Sequence, residues 1–392
     1  MFPAALNPAD NPLSKQFYGL LIHNLGPVVV PLLMALAVAV VVFLPARWLS
    51  FRLGAVAQPG GRNIHTFPTP RLGGLALIAG FTVSALLYAV PAGDGDHRAL
   101  VVVIASAATG LLLTLDDIRP FRARNKFVFQ VLLSLAIALS GLSINRVNLG
   151  ALGALTLAPA LAIPVTVLWL VGMQNTMNFL DGVDGLAAGV AAIVAGALLL
   201  AAINREAQDH TQVFVVLLCA ALIGACLGFL VFNFHPARIF MGDGGAHFLG
   251  IALGTLSIYG IAKGAVIFAL VVPLAALAVP ILDTAWAIVR RRRNRISVAH
   301  PDTMHIHHQL LDFGLSQRET CLVFYFATGI TACLGLMLFG HRKMLAVGVV
   351  LLVVALSTLV GERLSELEQT RQEARRGLAA GEGQGPAALV ES

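Results

Sequence analysis

The sequence is poor in charge and poor in cysteine for its length. Asp, Glu, Lys and Arg make up only 12% of the 392 residues, against about 25% in soluble domains. With 58% apolar residues, the chain has too little polar surface to cover a water-soluble globule and too much apolar surface to stay disordered. All four cysteines fall inside apolar runs, which argues against a disulfide framework or a zinc knuckle. The composition therefore indicates a multi-spanning membrane protein.

Apolar runs of about 20 residues, long enough to cross the hydrocarbon core as helices, recur along the chain. They predict an all-α fold with eleven spans, at residues 27–48, 73–90, 99–115, 127–142, 159–177, 185–203, 211–232, 246–260, 264–289, 321–340 and 344–360. Segments on one side of these spans hold 19 of the 26 Lys and Arg residues, and those on the other side hold 7. Because cytoplasmic loops are enriched in positive charge, we expect the N-terminus in the periplasm and the C-terminus in the cytoplasm.

The charge bias also bears on partners and on domain organisation. Since cytoplasmic loops account for the net charge of +6, no nucleic-acid partner is expected. No fixed-period repeat is visible, which gives no support to an inverted-repeat transporter. We expect residues 1–360 to form a single transmembrane catalytic domain. Residues 361–392, a charged helix-like stretch followed by Gly and Ala, are expected to form a cytoplasmic, partly disordered tail.

Carboxylate, amide and imidazole side chains gather on the predicted cytoplasmic side, each group following a span. The groups are Asp116 and Asp117; Asn175, Asn178, Asp181 and Asp184; Asp243; and His305, His307 and His308. Ionisable groups at a membrane boundary are costly unless they are solvated, paired or bound to a ligand. Four such groups on one face predict a single charged cleft that opens to the cytoplasm.

The chemistry of these groups favours a phosphate substrate and a hard cation. In LDDIRPFRARNKF, adjacent carboxylates suit a divalent cation or a proton, and Lys126 suits phosphate oxygens; a helix-end acidic pair beside a basic loop is the alternative. In NTMNFLDGVDGLAAG, the Asn and Asp side chains are oxygen donors of the kind Mg²⁺ prefers, although turn chemistry also explains part of this pattern.

Two further segments complete the predicted cleft. FNFHPARIFMGDGGAHF places Asp243 beside glycines, with Phe240 available to stack on a base. HPDTMHIHHQL carries three imidazoles; it lacks the His-Glu-x-x-His spacing of a zinc site and suits a diphosphate, with solvent-exposed histidines as the alternative. Asp94-Gly95-Asp96 resembles a metal-binding Asp-x-Asp, but it lies on the outer side and is interpreted as a turn.

Six motifs occur in order between about residues 61 and 310: GRNIHTFPTPRLGG, LDDIRPFRARNK, NTMNFLDGVDGL, HPARIFMGDGG, PILDTAWAIVRRR and HIHHQL. Together they resemble the polyprenyl-phosphate N-acetylhexosamine-1-phosphate transferases. The His-Ile-His-His form is similar to the branch that starts O-antigen, enterobacterial common antigen or teichoic acid linkage synthesis, in which UDP-GlcNAc is the common donor. The branch that makes the peptidoglycan precursor lipid I usually carries three consecutive histidines.

The resemblance implies a reaction, a cofactor and a location. It implies transfer of N-acetylhexosamine 1-phosphate, most often GlcNAc 1-phosphate, from a UDP-sugar to undecaprenyl phosphate with release of UMP. The product is the first lipid-linked intermediate of a cell-envelope polysaccharide such as the O-antigen of lipopolysaccharide. Mg²⁺ is the implied cofactor, with Mn²⁺ as its alternative. The implied setting is the cytoplasmic face of a bacterial inner membrane, among membrane lipids, and the family likeness also suggests a homodimer.

The resemblance also implies roles for individual residues. Asp243 is expected to bind Mg²⁺, with Asn178 as a second ligand. Asp116 or Asp117 is expected to deprotonate or orient the lipid phosphate, and Asp181 to lie at the reacting centre. The residues expected to bind substrate are Lys126, Asn175, Asp184, Phe240, His305, His307 and His308. Among these, Phe240 and Asp184 are expected to recognise uracil, and the basic loop 62–71 to gate or line the site.

Two alternatives stay open from the sequence. A phospho-MurNAc-pentapeptide transferase, which makes lipid I, performs the same reaction on a muramyl-pentapeptide donor. A transporter of an anionic substrate is expected to carry its charged residues near mid-membrane between repeated halves, whereas the charges here gather at one face.

Overall fold

The computed structural model describes residues 15–58, 68–93, 96–148, 154–206, 212–261 and 316–337, which are mostly helical. The helices are α1 (Lys15–Leu53), α2 (Gly74–Ser84), α3 (His97–Ile118), α4 (Ala123–Leu139), α5 (Pro159–Leu180), α6 (Leu186–Glu206), α7 (Val213–Asn233), α8 (Gly242–Ile261) and α9 (Gln317–Met337). A π-helical turn, Ala85–Ala89, extends α2. The strands form two antiparallel pairs, β1 (Val56–Ala57) with β2 (Thr69–Pro70) and β3 (Arg146–Asn148) with β4 (Ala154–Thr156).

The helical character of a membrane protein is confirmed. Within the described ranges, five helical stretches are long and apolar enough to cross a bilayer, in α1, α3, α5, α6 and α7. Helices α2, α4, α8 and α9 cover four more of the predicted spans. The spans at 264–289 and 344–360, and the tail 361–392, lie outside the described residues. The count of eleven, the orientation and the division at residue 360 stay predictions.

Large apolar side chains cover the outer surface of the bundle. Val41 and Leu44 on α1 are 68% and 67% exposed, and Leu168 on α5 is 75% exposed. In water, a surface of this kind is an association or aggregation site. In a bilayer it faces lipid tails, where exposing it carries no such penalty.

Glycines bring the backbones of α1 and α7 into close contact. A Cβ atom on Gly224 would lie 2.0 Å from the carbonyl oxygen of Leu32, and one on Gly228 would lie 2.7 Å from that of Leu36. Both distances are too short for any side chain, so only glycine permits this separation. Small residues are the usual way for membrane helices to pack closely, because no hydrophobic force drives helices together in lipid.

Helix α8 packs between α3 and α5, and its position decides which residues meet at the end of the bundle. Gly250 of α8 lies against the backbone of Gln174 on α5, where a Cβ atom would be 2.5 Å from the Gln174 Cα. The C-terminal ends of α3 and α5 and the N-terminal end of α8 therefore lie together. At the opposite end of α3, the carboxylate of Asp96 accepts a hydrogen bond from the Arg98 amide at 3.0 Å and caps the helix. The role of Asp96 as a helix cap is consistent with the turn predicted for this segment from the sequence. Asp94 lies outside the described residues.

Candidate active site

Asp243 lies in the first turn of α8, and the segment before it is held by the loop that precedes α2. The Phe240 amide donates to the Pro70 carbonyl at 2.8 Å, and the Gly73 amide donates to the Phe240 carbonyl at 2.9 Å. A third bond joins the Gly74 amide to the Met241 carbonyl at 2.9 Å. This short ladder fixes the approach of the chain to α8, and with it the position of Asp243.

The carboxylate of Asp117 caps the N-terminus of α8. Its Oδ1 accepts a hydrogen bond from the Asp243 amide at 2.9 Å, and its Oδ2 accepts one from the Gly244 amide at 3.0 Å. The first amides of a helix have no partner within the helix and carry partial positive charge, so an anion is well placed there. Asp117 therefore holds the backbone that carries Asp243.

Gly242 makes this contact possible. Its φ is +71°, a conformation that strongly favours glycine. A Cβ atom at this position would lie 2.3 Å from the Arg71 carbonyl oxygen and 2.6 Å from Asp117 Oδ2. No side chain fits between the loop before α2 and the Asp117 carboxylate.

The side chain of Asp243 contacts two helices besides its own. Oδ1 accepts a hydrogen bond from Asn178 Nδ2 of α5 at 2.9 Å, and Oδ2 forms an ion pair with Lys126 Nζ of α4. Lys126 Nζ also lies 3.2 Å from Asp116 Oδ2, so that it bridges two carboxylates. Burial opposes ionisation of Asp243, but the bonds to its neighbours, Lys126 among them, outweigh burial and hold its pKa well below the usual range.

Asp181 follows α5 and lies on the same side of the bundle. Its amide donates to the Met177 carbonyl at 3.2 Å, which ends the helix. Burial, together with the nearby charges of Asp117 and Asp243, raises the pKa of Asp181 well above its ordinary value. Asp181 is therefore easier to protonate than an ordinary aspartate.

Asp184 ties the loop after α5 to the loop after α7. Its Oδ2 accepts hydrogen bonds from His235 Nδ1 at 2.9 Å and from the Ala237 amide at 3.1 Å. From the other side, Tyr325 of α9 donates to the Gly185 carbonyl at 2.6 Å. This arrangement steadies the loop after α5 and the loop that leads into the Asp243 turn.

Residues 98–261 match the family model described as "Glycosyl transferase family 4". The chain is 33% identical over 335 residues to the probable undecaprenyl-phosphate N-acetylglucosaminyl 1-phosphate transferase of Bacillus subtilis, covering 86% of this chain and 91% of the relative. It is 37% identical over 309 residues to the decaprenyl-phosphate N-acetylglucosaminephosphotransferase of Mycobacterium tuberculosis, covering 74% and 76%. The chain belongs to the polyprenyl-phosphate N-acetylhexosamine-1-phosphate transferase family.

Members of this family with a different named donor also match. The phospho-N-acetylmuramoyl-pentapeptide-transferase of Desulforudis audaxviator is 32% identical over 341 residues, covering 80% of this chain and 93% of the relative. The family resemblance read from the six motifs is thus confirmed. The roles of individual residues stay predictions.

The structure brings together most of the predicted site residues that it describes. Asp116, Lys126, Asn178 and Asp243 are in direct contact, and Asp117 joins them through the backbone. Asn175 instead donates to Gln130 Oε1 of α4 at 2.9 Å, one turn away from Asn178. Phe240 is half-buried in the segment before Asp243. His305, His307 and His308 lie outside the described residues, as do residues 62–67 of the basic loop.

Three residues with a structural part in the site are absent from the sequence-based set: Gln130, His235 and His247. A signal existed for two of them. Gln130 and His247 are polar residues inside the predicted spans 127–142 and 246–260, and polar side chains in a span usually face the interior of the bundle. His235 gives no such signal, because it lies in a loop.

The donor set near Asp243 fits Mg²⁺ if substrate completes the coordination. Across the described ranges, no group of three or more His, Cys, Asp or Glu side chains is spaced to hold a metal by itself. Mg²⁺ is commonly bound by one or two carboxylates, with phosphate oxygens and water as its other ligands. Asp243 supplies such a carboxylate in contact with the Asn178 side chain, which carries an amide oxygen, and the Asp243 side chain remains 26% exposed.

Proposed function

We propose that this protein transfers GlcNAc 1-phosphate from UDP-GlcNAc to undecaprenyl phosphate and releases UMP. The observation that carries the proposal is the contact of Asp243 with Lys126 and Asn178 at the end of an apolar helix bundle. It supplies a cationic side chain for a diphosphate, and oxygen ligands for a divalent cation, beside a surface that suits a lipid. The relatives named above support the choice of donor and acceptor, because their names specify N-acetylglucosamine and an undecaprenyl or decaprenyl phosphate.

The reaction joins two anions, and the site residues offset their repulsion. An oxygen of the lipid phosphate attacks the β-phosphorus of the UDP-sugar, a new P–O bond forms, and the bond to the UMP oxygen breaks. Asp243, with Asn178 as a second ligand, would hold Mg²⁺, which would neutralise charge on the diphosphate. Lys126 adds a positive charge to the same phosphate oxygens, which stabilises charge that develops on the leaving UMP.

The contacts favour different parts for the two adjacent aspartates. Both oxygens of Asp117 accept backbone amides of α8, so we assign Asp117 to holding the Asp243 turn. Asp116 accepts one backbone amide, that of Phe121, through Oδ1, but its Oδ2 contacts the Lys126 side chain. We therefore assign to Asp116 the orientation or deprotonation of the lipid phosphate, and to Asp181, with its raised pKa, proton exchange at the reacting centre.

The remaining parts of the proposal concern the nucleotide, the sugar and the setting. Phe240 stacks on uracil and Asp184 hydrogen-bonds to it, while His305, His307 and His308 contact the diphosphate or sugar. The enzyme spans a bacterial inner membrane with its site on the cytoplasmic face, its N-terminus outside and eleven spans. It acts as a homodimer, and its product starts a cell-envelope polysaccharide.

A second candidate is the synthesis of lipid I, favoured by the match to a phospho-N-acetylmuramoyl-pentapeptide-transferase. A donor panel separates the two. Purified protein with undecaprenyl phosphate and Mg²⁺ receives UDP-GlcNAc, UDP-GalNAc or UDP-MurNAc-pentapeptide, and the lipid product is identified by mass. We expect a GlcNAc-bearing lipid diphosphate and one UMP per product.

The possible results of the panel are distinct. A product from the muramyl donor alone would establish lipid I synthesis instead. No lipid product from any donor would contradict both candidates, and substrate uptake by proteoliposomes under the same conditions would then favour a transporter.

A further inference from the structure

Three helices place polar residues in two layers, one helical turn apart. Lys126, Asn178 and Asp243 form the first, here called the site layer. Gln130 lies four residues after Lys126, Asn175 three residues before Asn178, and His247 four residues after Asp243. Residues spaced by three or four lie on the same face of a helix. The second set, here called the support layer, therefore lies directly beneath the first on α4, α5 and α8.

A directed chain of hydrogen bonds links the support layer. Asn175 Nδ2 donates to Gln130 Oε1 at 2.9 Å, and Gln130 Nε2 lies 2.8 Å from His247 Nε2. His247 Nδ1 lies 2.7 Å from the carbonyl oxygen of Asp243. The chain thus starts on α5, crosses α4 and ends on the backbone of the residue at the centre of the site layer.

The partners assign the proton on the imidazole. A carbonyl oxygen only accepts, so Nδ1 of His247 must carry the hydrogen in its bond to Asp243. In the neutral imidazole, Nε2 is then the acceptor for the Gln130 amide, and the Gln130 oxygen accepts from Asn175. Each polar group in the chain has one allowed direction, and the orientation of all three side chains follows.

Because two of its three side chains are buried, breaking any hydrogen bond in this network is costly. Gln130 and His247 are buried, at 2% and 0% exposure, and a buried polar group that loses its partner is strongly unfavourable. Rotation of α4, α5 or α8 about its own axis would break at least one of these bonds. The same rotation would move Lys126, Asn178 or Asp243 out of contact in the layer above.

We propose that His247, together with Gln130 and Asn175, is a positioning residue that sets the rotation of three helices so that Lys126 and Asn178 converge on Asp243. This rests on the proposed function for its effect on turnover. Residues that orient ligands from behind the site commonly change affinity or activity by about 10-fold to 100-fold when mutated.

The first test separates positioning from stability. His247→Leu is expected to lower kcat for lipid product at least about tenfold and to lower the midpoint of thermal unfolding. Adding Gln130→Leu removes the polar group that His247→Leu leaves unpaired, while Asn175 keeps its bond to the Val171 carbonyl. Replacing both partners of a buried hydrogen bond by apolar groups can be nearly neutral for stability. We expect the double variant to recover the midpoint without recovering kcat. Recovery of kcat together with the midpoint, or a kcat for His247→Leu within twofold of wild type, would overturn the proposal.

Thr255→Val is the matched control. Thr255 is also buried on α8, and its hydroxyl donates to the carbonyl four residues earlier, that of Ile251, at 2.7 Å. It lies three turns away from Asp243. We expect this variant to keep the wild-type kcat, even where its unfolding midpoint falls as far as that of His247→Leu.

The second test needs no turnover. Lys126→Met, Asp243→Asn and their double variant are compared by unfolding midpoint, in wild type and in His247→Leu. In wild type the double variant should lose less than the sum of the single losses, because both remove the same contact. In the His247→Leu background, Lys126 and Asp243 should no longer be held in contact. The losses of midpoint from the two single changes should therefore add. Non-additivity that persists in His247→Leu overturns the proposal, whereas failure of the wild type to form any lipid-linked sugar overturns only the proposed function.

Discussion

Asp117 at the end of α3 holds the amide of Asp243 at the start of α8, at 2.9 Å, although 126 residues separate them in sequence. The two aspartates are thus not equivalent acids in a cluster. One positions the backbone, and the other presents its carboxylate to Lys126 and Asn178.

Replacing Asp117 should therefore disturb both stability and activity. Asp117→Ala removes two hydrogen bonds to a buried carboxyl group, each worth about 0.5–1.5 kcal/mol, and we expect turnover to fall at least tenfold because Asp243 loses its support. Asp96→Ala removes a carboxylate cap at the far end of α3 and should cost about 1 kcal/mol without loss of turnover. Equal kcat values for the two variants, measured beside their unfolding midpoints, would contradict this assignment.

Gly242 should tolerate no side chain. Gly242→Ala adds a Cβ atom 2.3 Å from the Arg71 carbonyl in a left-handed backbone conformation, so we expect the Asp243 turn to shift and lipid product to be lost. Gly54→Ala is the control, since Gly54 has a φ of +72° with no neighbouring atom within 4 Å. Gly54→Ala should lose only about 1–2 kcal/mol of stability, because a left-handed backbone conformation is unfavourable for alanine. It should keep the wild-type kcat. Wild-type turnover in Gly242→Ala would show that the close contact is dispensable.

Loss of the Asp243 carboxylate should abolish the reaction while leaving the bundle folded. Asp243→Asn keeps the size of the side chain but removes its charge, and we expect UMP release from UDP-GlcNAc and undecaprenyl phosphate to fall by about 10²–10³-fold. Chelation of divalent cations should silence the wild type, and added Mg²⁺ should restore it. Near-wild-type UMP release by the variant, with an unchanged helical circular dichroism spectrum, would remove Asp243 from the mechanism.

Asp184 should affect nucleotide binding more than chemistry. Its carboxylate holds His235 and the Ala237 amide in the loop after α7, a loop that we propose faces uracil. We expect Asp184→Asn to raise KM for UDP-GlcNAc by about tenfold and to change kcat less. In free energy, a tenfold change is close to the loss of one hydrogen bond to a charged group. A fall in kcat at unchanged KM would place Asp184 at the reacting atoms instead.

Substitution of a glycine at the contact between α1 and α7 should strongly destabilise the protein. Gly224→Leu places a side chain against the Leu32 carbonyl, 2.0 Å from the new Cβ atom, and should destabilise the protein by more than the 1–3 kcal/mol typical of overpacking. Gly196→Leu on α6 has open space within 4 Å and should fold normally. Equal yields of folded protein from detergent extraction would contradict the close packing of α1 and α7.

Much of the site could be predicted from the sequence, because each polar group follows an apolar run. Residues after the third, fifth and seventh spans must emerge on one side if the helices alternate in direction. That reasoning places Asp116, Asn178 and Asp243 on one side of the bundle, and Lys126 lies in the same segment as the acidic pair, nine residues beyond Asp117. Periodicity and spacing are local properties of the chain, so they can be read from it directly.

The contacts within the site were decided by packing between distant segments. That Asp117 caps α8, that Asn175 contacts Gln130 while Asn178 reaches Asp243, and that His247 lies under them depend on the rotation and separation of whole helices. Those quantities follow from the summed fit of glycines and buried side chains along each interface, such as Gly250 against α5. No local pattern encodes that sum, and only the folded chain reveals which of two neighbouring polar residues faces the substrate and which supports it.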